Sequence, residues 1–330
     1  VGPVSGQDTT PAVTFGVLGP VTADHRDRPV PLKGPRHRAV LARLLVARSR
    51  VVPVDRLVDD LWAEPPRAPV AALRTFVADL RRALEPDRPP RRPARLLVTV
   101  GPGYALHPAP DGVDAWRFEA ALGEAGQLLR ARRPELALPC LDDALALWRG
   151  PAYAGHAGDG WARAEIDRLD ELRLLAVERR AEALLALGRA AEAATDVRAH
   201  VEEHPLREDA WRLWALALYR AGRQGDALAA LRRARATLAA ELGVDPGPAL
   251  RALEADVLAH AAHLDPAPPP VVPVAPRASA PPDESGRTPP GRAFVGRGEE
   301  LTRLLDAAGD VAARGAPTLA LIHGDAGAGK

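Results

Sequence analysis

The chain has 330 residues, 47% apolar and 26% charged, which is room for about two domains and enough apolar material to bury their cores. No apolar run approaches the roughly 18 residues of a membrane span, and no basic-then-apolar leader marks secretion. A single Cys140 excludes a disulfide scaffold and a cysteine zinc cluster, so a soluble cytoplasmic protein is expected.

The net charge of +1 hides an asymmetry. Residues 12–108 carry 17 basic and 9 acidic side chains, a net of +8, and residues 109–265 carry 20 and 26, a net of −6. Residues 266–330 balance at 7 and 7. Only Lys33 and Lys330 are lysines; the other 42 basic residues are arginines, as a GC-rich genome produces, so a lone arginine says little. Codon bias would spread them evenly, however, and a basic module before an acidic one is not even.

After a tail over 1–11, residues 13–22 read as short strands with a turn, and Pro29 to Leu32 as an edge strand. Pro35 to Ala47 reads as a helix with Val40, Leu41, Leu44 and Leu45 on one side. Asp55 to Trp62 is a second helix. Beyond the breaker Glu64-Pro65-Pro66, residues 69–84 form a third, with Val70, Leu73, Val77, Leu80 and Leu84 at the spacing of a buried face. A basic, proline-rich loop from Arg88 to Arg95 leads to a β-hairpin, Leu96 to Val100 and Tyr104 to Leu106. Strands, three helices and a terminal hairpin over 12–108 describe a winged helix-turn-helix.

Residues 109–265 read as almost entirely helical. Leu187-Gly188-Arg189-Ala190 recurs as Ala221-Gly222-Arg223-Gln224, with glycines 34 residues apart, the period of tetratricopeptide helix pairs, in which a small residue lets two helices approach. A plain helical bundle is the alternative. Residues 266–292 hold ten prolines and read as an extended linker. In 293–330 a short apolar strand, Thr318 to Ile322, runs into Gly324-Asp325-Ala326-Gly327-Ala328-Gly329-Lys330. This GxxxxGK pattern lets backbone N–H groups wrap a phosphate while the lysine reaches its outer oxygens. Gly324, Gly327, Gly329 and Lys330 are therefore candidate nucleotide ligands of an incomplete P-loop. No Mg²⁺-binding Ser/Thr and no second acidic motif accompany them. No working cofactor site is expected within these residues; ATP and Mg²⁺ are expected only in a longer chain.

On helix 69–84, Ala71, Thr75, Ala78 and Arg82 lie opposite the apolar stripe, with Arg74 and Arg81 at its edge. Small residues with Thr and Arg suit a major groove, where methyl groups meet thymine and arginine forks to guanine. Lys33, Arg36 and Arg38 at the first helix, and Arg91, Arg92 and Arg95 before the hairpin, are candidate phosphate contacts. The histidines show no metal-ligand spacing, and the carboxylates of 109–265 read as solvated helix faces. Trp148, Trp161, Trp211 and Trp214 read as core anchors. No nucleophile–base constellation appears, so no enzyme activity is expected.

Asp55-Arg56-Leu57 to Leu61-Trp62, Leu73-Arg74 to Leu84, and Val100-Gly101-Pro102-Gly103-Tyr104 resemble the OmpR-type winged helix of the Streptomyces antibiotic regulatory protein (SARP) family. Ala146 to Pro151, His204 to Glu208, Ala217 to Arg223 and Glu241 to Pro248 resemble that family's bacterial transcriptional activation domain. The linker, Phe294-Val295-Gly296-Arg297 and the partial P-loop resemble large AfsR-type members, in which an NB-ARC-like ATPase follows. The resemblance implies a mainly α protein: a winged helix, a tetratricopeptide-like domain, a linker and the start of an α/β P-loop domain. It implies activation of secondary-metabolite gene clusters, with direct repeats of promoter DNA, RNA polymerase with its sigma factor, and tandem copies of the chain itself as partners, and no membrane. It also adds Tyr104 of the wing to the DNA-binding set. Two departures stand out. Val54 occupies a position where a capping Ser or Thr is common, leaving Asp55 to cap. Ala105 stands where a basic residue is frequent, which argues against minor-groove contact by the wing. Only about a dozen residues precede the winged helix, so no receiver domain is expected. A signalling ATPase and a protein-binding scaffold are the competing readings.

Overall fold

The computed structural model describes residues 13–89, 91–265 and Thr302. The first element is a three-stranded antiparallel sheet of β1 (Val13–Gly16), β2 (Thr22–His25) and β3 (Arg28–Pro29), in that order. Arg26 and Asp27 both have positive φ, the two-residue hairpin turn whose twist matches that of its strands. The expected edge strand thus closes at Pro29, earlier than Leu32.

Helix α1 (Pro35–Val46) starts on a proline that has no N–H to leave unsatisfied, and it buries Val40, Leu41, Leu44 and Leu45. Strand β4 (Val52–Pro53) follows; two residues were too few for the sequence pattern to show. Helix α2 (Val54–Leu61) begins on Val54, with Pro53 at the cap and no side-chain cap bond. Asp55 therefore lies inside the first turn and does not cap it. Helix α3 (Pro69–Leu84) buries Leu73, Val77, Leu80 and Leu84, whereas Val70 in its first turn is 38% exposed and leaves the expected stripe.

Strands β5 (Leu97–Val100) and β6 (Gly103–Leu106) form the hairpin, and β6 is the centre of the sheet β4-β6-β5. Gly103 is obligatory there: a Cβ would fall 2.3 Å from the Val52 carbonyl oxygen. This is a winged helix-turn-helix.

The helical part consists of α4 (Asp114–Arg130), α5 (Pro134–Ala146), α6 (Gly160–Ala186), α7 (Ala190–Glu203), α8 (Glu208–Arg220), α9 (Gln224–Leu242) and α10 (Pro248–Leu258). Helices α6–α7 and α8–α9 turn at Gly188 and Gly222, with φ of +74° and +76°. The Arg189 N–H reaches Leu184 O and the Gly188 N–H reaches Leu185 O; Arg223 and Gly222 repeat the pattern onto Leu218 and Tyr219. No atom lies within 4 Å of a Cβ built on either glycine. The repeated glycine therefore serves a left-handed helix terminus, not the close helix approach expected of it. The α4–α5 turn uses the same bonds, Arg132 to Leu129 O and Arg133 to Leu128 O, with Arg132 itself at φ +55°. A third helix pair was hidden because an arginine stands where the others have glycine.

One buried core runs from Val13 to Ala176, through both the winged helix and α4–α6, and a second fills α6 to Leu264. Residues 15–20 thread between the two parts. The Phe15 N–H bonds Gly112 O, and the N–H groups of Arg149, Tyr153 and Ala154 bond the carbonyls of Leu18, Val17 and Gly19. The buried Asp114 carboxylate accepts from the Val17 and Leu18 N–H groups at 2.8 and 3.1 Å and pairs with Arg149 at 3.1 Å.

Candidate nucleic-acid interface

Helix α3 is held on two flanks and open between them. On one flank Phe76 stacks on Trp62 of the α2 terminus at 6.1 Å and meets the His37 ring edge-on at 4.9 Å. On the other, Arg81 donates to Leu97 O and Thr99 Oγ1, both at 2.7 Å, and lies 5.8 Å from the Tyr104 ring centre. Between the flanks Ala71, Thr75, Ala78 and Arg82 are exposed, the face expected from the helical period, and Arg74 from its expected edge is exposed with them. Arg74 has no bonding partner among the described residues, so its guanidinium keeps all five donors for a ligand. Thr75 spends its hydroxyl proton on Ala71 O at 3.1 Å, leaving its methyl group and lone pairs outward.

The structure engages three residues of the expected DNA-binding set in contacts within the protein. Arg81 is a tie between α3 and the wing, and burial pushes its pKa down from the usual arginine value. Tyr104 is buried beneath it at 7% exposure. Arg36 donates to Leu61 O and covers the Trp62 ring at 5.6 Å, closing the α1–α2 corner. In each case a cation or ring expected at the DNA is used across an element boundary. Ala105 is fully buried, so its place in the wing does not face solvent.

The remaining cations fall into two groups. Arg38, Arg92 and Arg95 are exposed without an ion-pair partner among the described residues. Arg92 and Arg95 rim a groove of about 470 Å³ between β1, β2 and the α3–β5 loop, where the Glu85 carboxylate accepts the Arg95 backbone N–H at 2.9 Å. Lys33 and Arg82 instead meet at Asp79: its Oδ1 accepts from Lys33 Nζ at 2.9 Å and Arg82 Nη1 at 3.1 Å, and its Oδ2 lies 3.3 Å from His37 Nε2. The Lys33 ammonium, with His37 adding to it, holds the Asp79 carboxyl below the usual carboxylate range.

Two family models match the chain: "Transcriptional regulatory protein, C terminal" over residues 27–106 and "Bacterial transcriptional activator domain" over 113–258. Regulatory protein DnrI of Streptomyces peucetius is 34% identical over 249 residues, covering 74% of this chain and 91% of DnrI. The chain belongs to the SARP family. Transcriptional regulatory protein EmbR of Mycobacterium tuberculosis is 38% identical over 74% of this chain, which spans 63% of EmbR's length. Regulatory protein AfsR of Streptomyces coelicolor is 38% identical over 76% of this chain, which spans 25% of AfsR. The solved structure of M. tuberculosis EmbR in complex with a low-affinity phosphopeptide superposes with a TM-score of 0.72 at 36% identity, covering 78% of this chain and 67% of that one.

Within this SARP-family chain, Gly324, Gly327, Gly329 and Lys330 lie outside the described residues, as do the linker and the strand before them. Among the described residues, no group of three or more His, Cys, Asp or Glu is placed to hold a metal ion, and no helix is long and apolar enough to cross a membrane. Sequence reasoning missed several buried charges. Asp114 and Glu178 had been read as solvated and are 4% and 6% exposed. Arg48 ties the winged helix to α4 and α6, pairing with Glu119 and, at 3.0 Å, with Glu165, while Arg168 joins the same two carboxylates. Arg48 sits at positive φ just after α1, and that position in an α1–β4 turn was the one available signal.

Proposed function

We propose that this protein is a sequence-specific DNA-binding transcriptional activator that seats α3 in the major groove. The observation that carries the reading is the open face of α3, where Arg74, Thr75 and Ala78 project between two packed flanks from a unit of net charge +8. Arg38, Arg92 and Arg95 serve as phosphate contacts that position the helix without reading sequence. One such helix reads only about 4–7 base pairs, too few to find a promoter, so two copies bind in tandem. By likeness to the family the half-sites are direct repeats about one helical turn apart, at promoters of secondary-metabolite clusters. The acidic helical domain, net −6, offers its surface to RNA polymerase and its sigma factor while being repelled by DNA. The place of action is the cytoplasmic nucleoid.

The test is a gel shift on direct repeats across a salt titration, with the spacer intact or shifted by half a turn. Steep salt dependence together with weaker binding to the shifted repeats supports tandem recognition. Equal binding to both overturns it, and no binding to either leaves a protein-binding scaffold as the better reading.

A further inference from the structure

Resting on the reading of α3 as the DNA-facing helix, we infer that Asp79 is a built-in charge brake: its carboxylate occupies Lys33 and Arg82 so that the protein holds DNA of any sequence less tightly. The geometry is specific. One oxygen of a single carboxylate takes both cations, at 2.9 and 3.1 Å, while the other faces His37 at 3.3 Å. The cation side chains are 61% and 75% exposed, so both reach solvent on the shoulder of α3, whereas Asp79 is 16% exposed and stays put beneath them. His37, only 12% exposed and set against Phe76, backs the carboxylate from α1.

Duplex DNA attracts a protein mainly through phosphates, and each cation that neutralises one contributes a factor independent of base sequence. A carboxylate inside the same cluster competes with the phosphate for those donors. With Asp79 ionised, the two cations and one anion carry a net +1; without its charge they would carry +2. Asp79 makes no bond to Arg74 or Thr75, so it acts on the uniform electrostatic part of binding and leaves base reading untouched. Lowering that uniform part weakens target and non-target binding by the same factor, so the ratio between them stays fixed while the protein is released faster from the excess of non-target DNA in a genome. Asp79 is thus a positioning and tuning residue, distinct from those that touch bases.

The experiment compares wild type with Asp79→Asn on the cognate repeats and on unrelated duplex of equal length, from 50 to 300 mM salt. The asparagine keeps the size and an acceptor oxygen, and circular dichroism and a thermal melt check that the fold is intact. The expected result is about three- to tenfold tighter binding to both DNAs near 0.1 M salt, a salt slope steeper by about one unit, and an unchanged order of base preference. Arg82→Ala should lower the slope by well under one unit in wild type and by about one unit in the Asp79→Asn background. A folded Asp79→Asn protein with unchanged slope, or with weaker binding to both DNAs, overturns the brake and leaves Asp79 as a tie between α1 and α3. If wild type binds neither DNA, the reading of α3 falls and the brake with it.

Discussion

Arg74 and Arg81 lie two turns apart on one helix and do opposite work. Arg74 has no partner among the described residues, and Arg74→Ala should cost about 1–3 kcal/mol of binding and relax preference at one base position, read by competition with a panel of substituted sites. Arg81 makes two 2.7 Å hydrogen bonds to β5 and covers Tyr104. Arg81→Ala should instead lower folding stability by about 1–3 kcal/mol in urea melts and leave the order of preferred sites intact.

Glu178 gives a second residue-scale expectation. Burial alone would raise its pKa, but contacts with His200 and with Arg207, at 2.8 Å, outweigh burial and bring the carboxyl down to about 2 from 4.5. A depressed pKa stabilises the fold above the unfolded value and loses that contribution as pH falls through the folded one. The stability difference between wild type and Glu178→Gln should therefore shrink by about 3 kcal/mol between pH 4.5 and 2. A constant difference across that range would show that the carboxylate is not held in its charged form.

At the scale of elements, the helix pairs depend on left-handed residues at their turns. Gly222→Ala meets no steric contact within 4 Å, so its cost should be purely conformational, about 1 kcal/mol. Arg132 occupies the matching place after α4 at φ +55° with its side chain unpartnered among the described residues, so Arg132→Gly should stabilise by a similar amount. Paired denaturant titrations of the two variants check the opposite signs. The glycines that revealed the repeat by their spacing are there for backbone geometry. The pair that lacks one was invisible to a search for glycine, although its hydrogen bonds are the same.

At the scale of the molecule, the winged helix and α4–α6 share a core, a carboxylate cap at Asp114 and the charge network around Arg48. Residues 13–265 should therefore melt in one cooperative transition. A fragment ending at residue 108 would lose the partners of Val17, Leu18 and Arg48, and should melt at least 10 °C lower or without a sharp transition; ellipticity on heating distinguishes the two. Equal melting of fragment and whole would show that the shared core does not couple them.

Helical and strand periods, proline and glycine punctuation and the two-sided charge were properties of the sequence alone. They determined α1–α3, the wing hairpin, the helical array and the open face of α3, because burial periodicity is local. What the tertiary structure decided is the employment of each charged side chain. Arg36 and Arg81 are basic residues that a DNA contact would use, yet Leu61, Leu97 and Thr99 accept hydrogen bonds from them across other elements, and Tyr104 is buried under Arg81. Asp79 stands in the sequence as an acid of helix α3, and only the packing of α1 brings Lys33 and His37 to it. Asp114 and Glu178 are buried because distant segments supply donors to them. A period tells which side of a helix is wet; only the packing of neighbouring elements tells which wet-looking charge already has a partner.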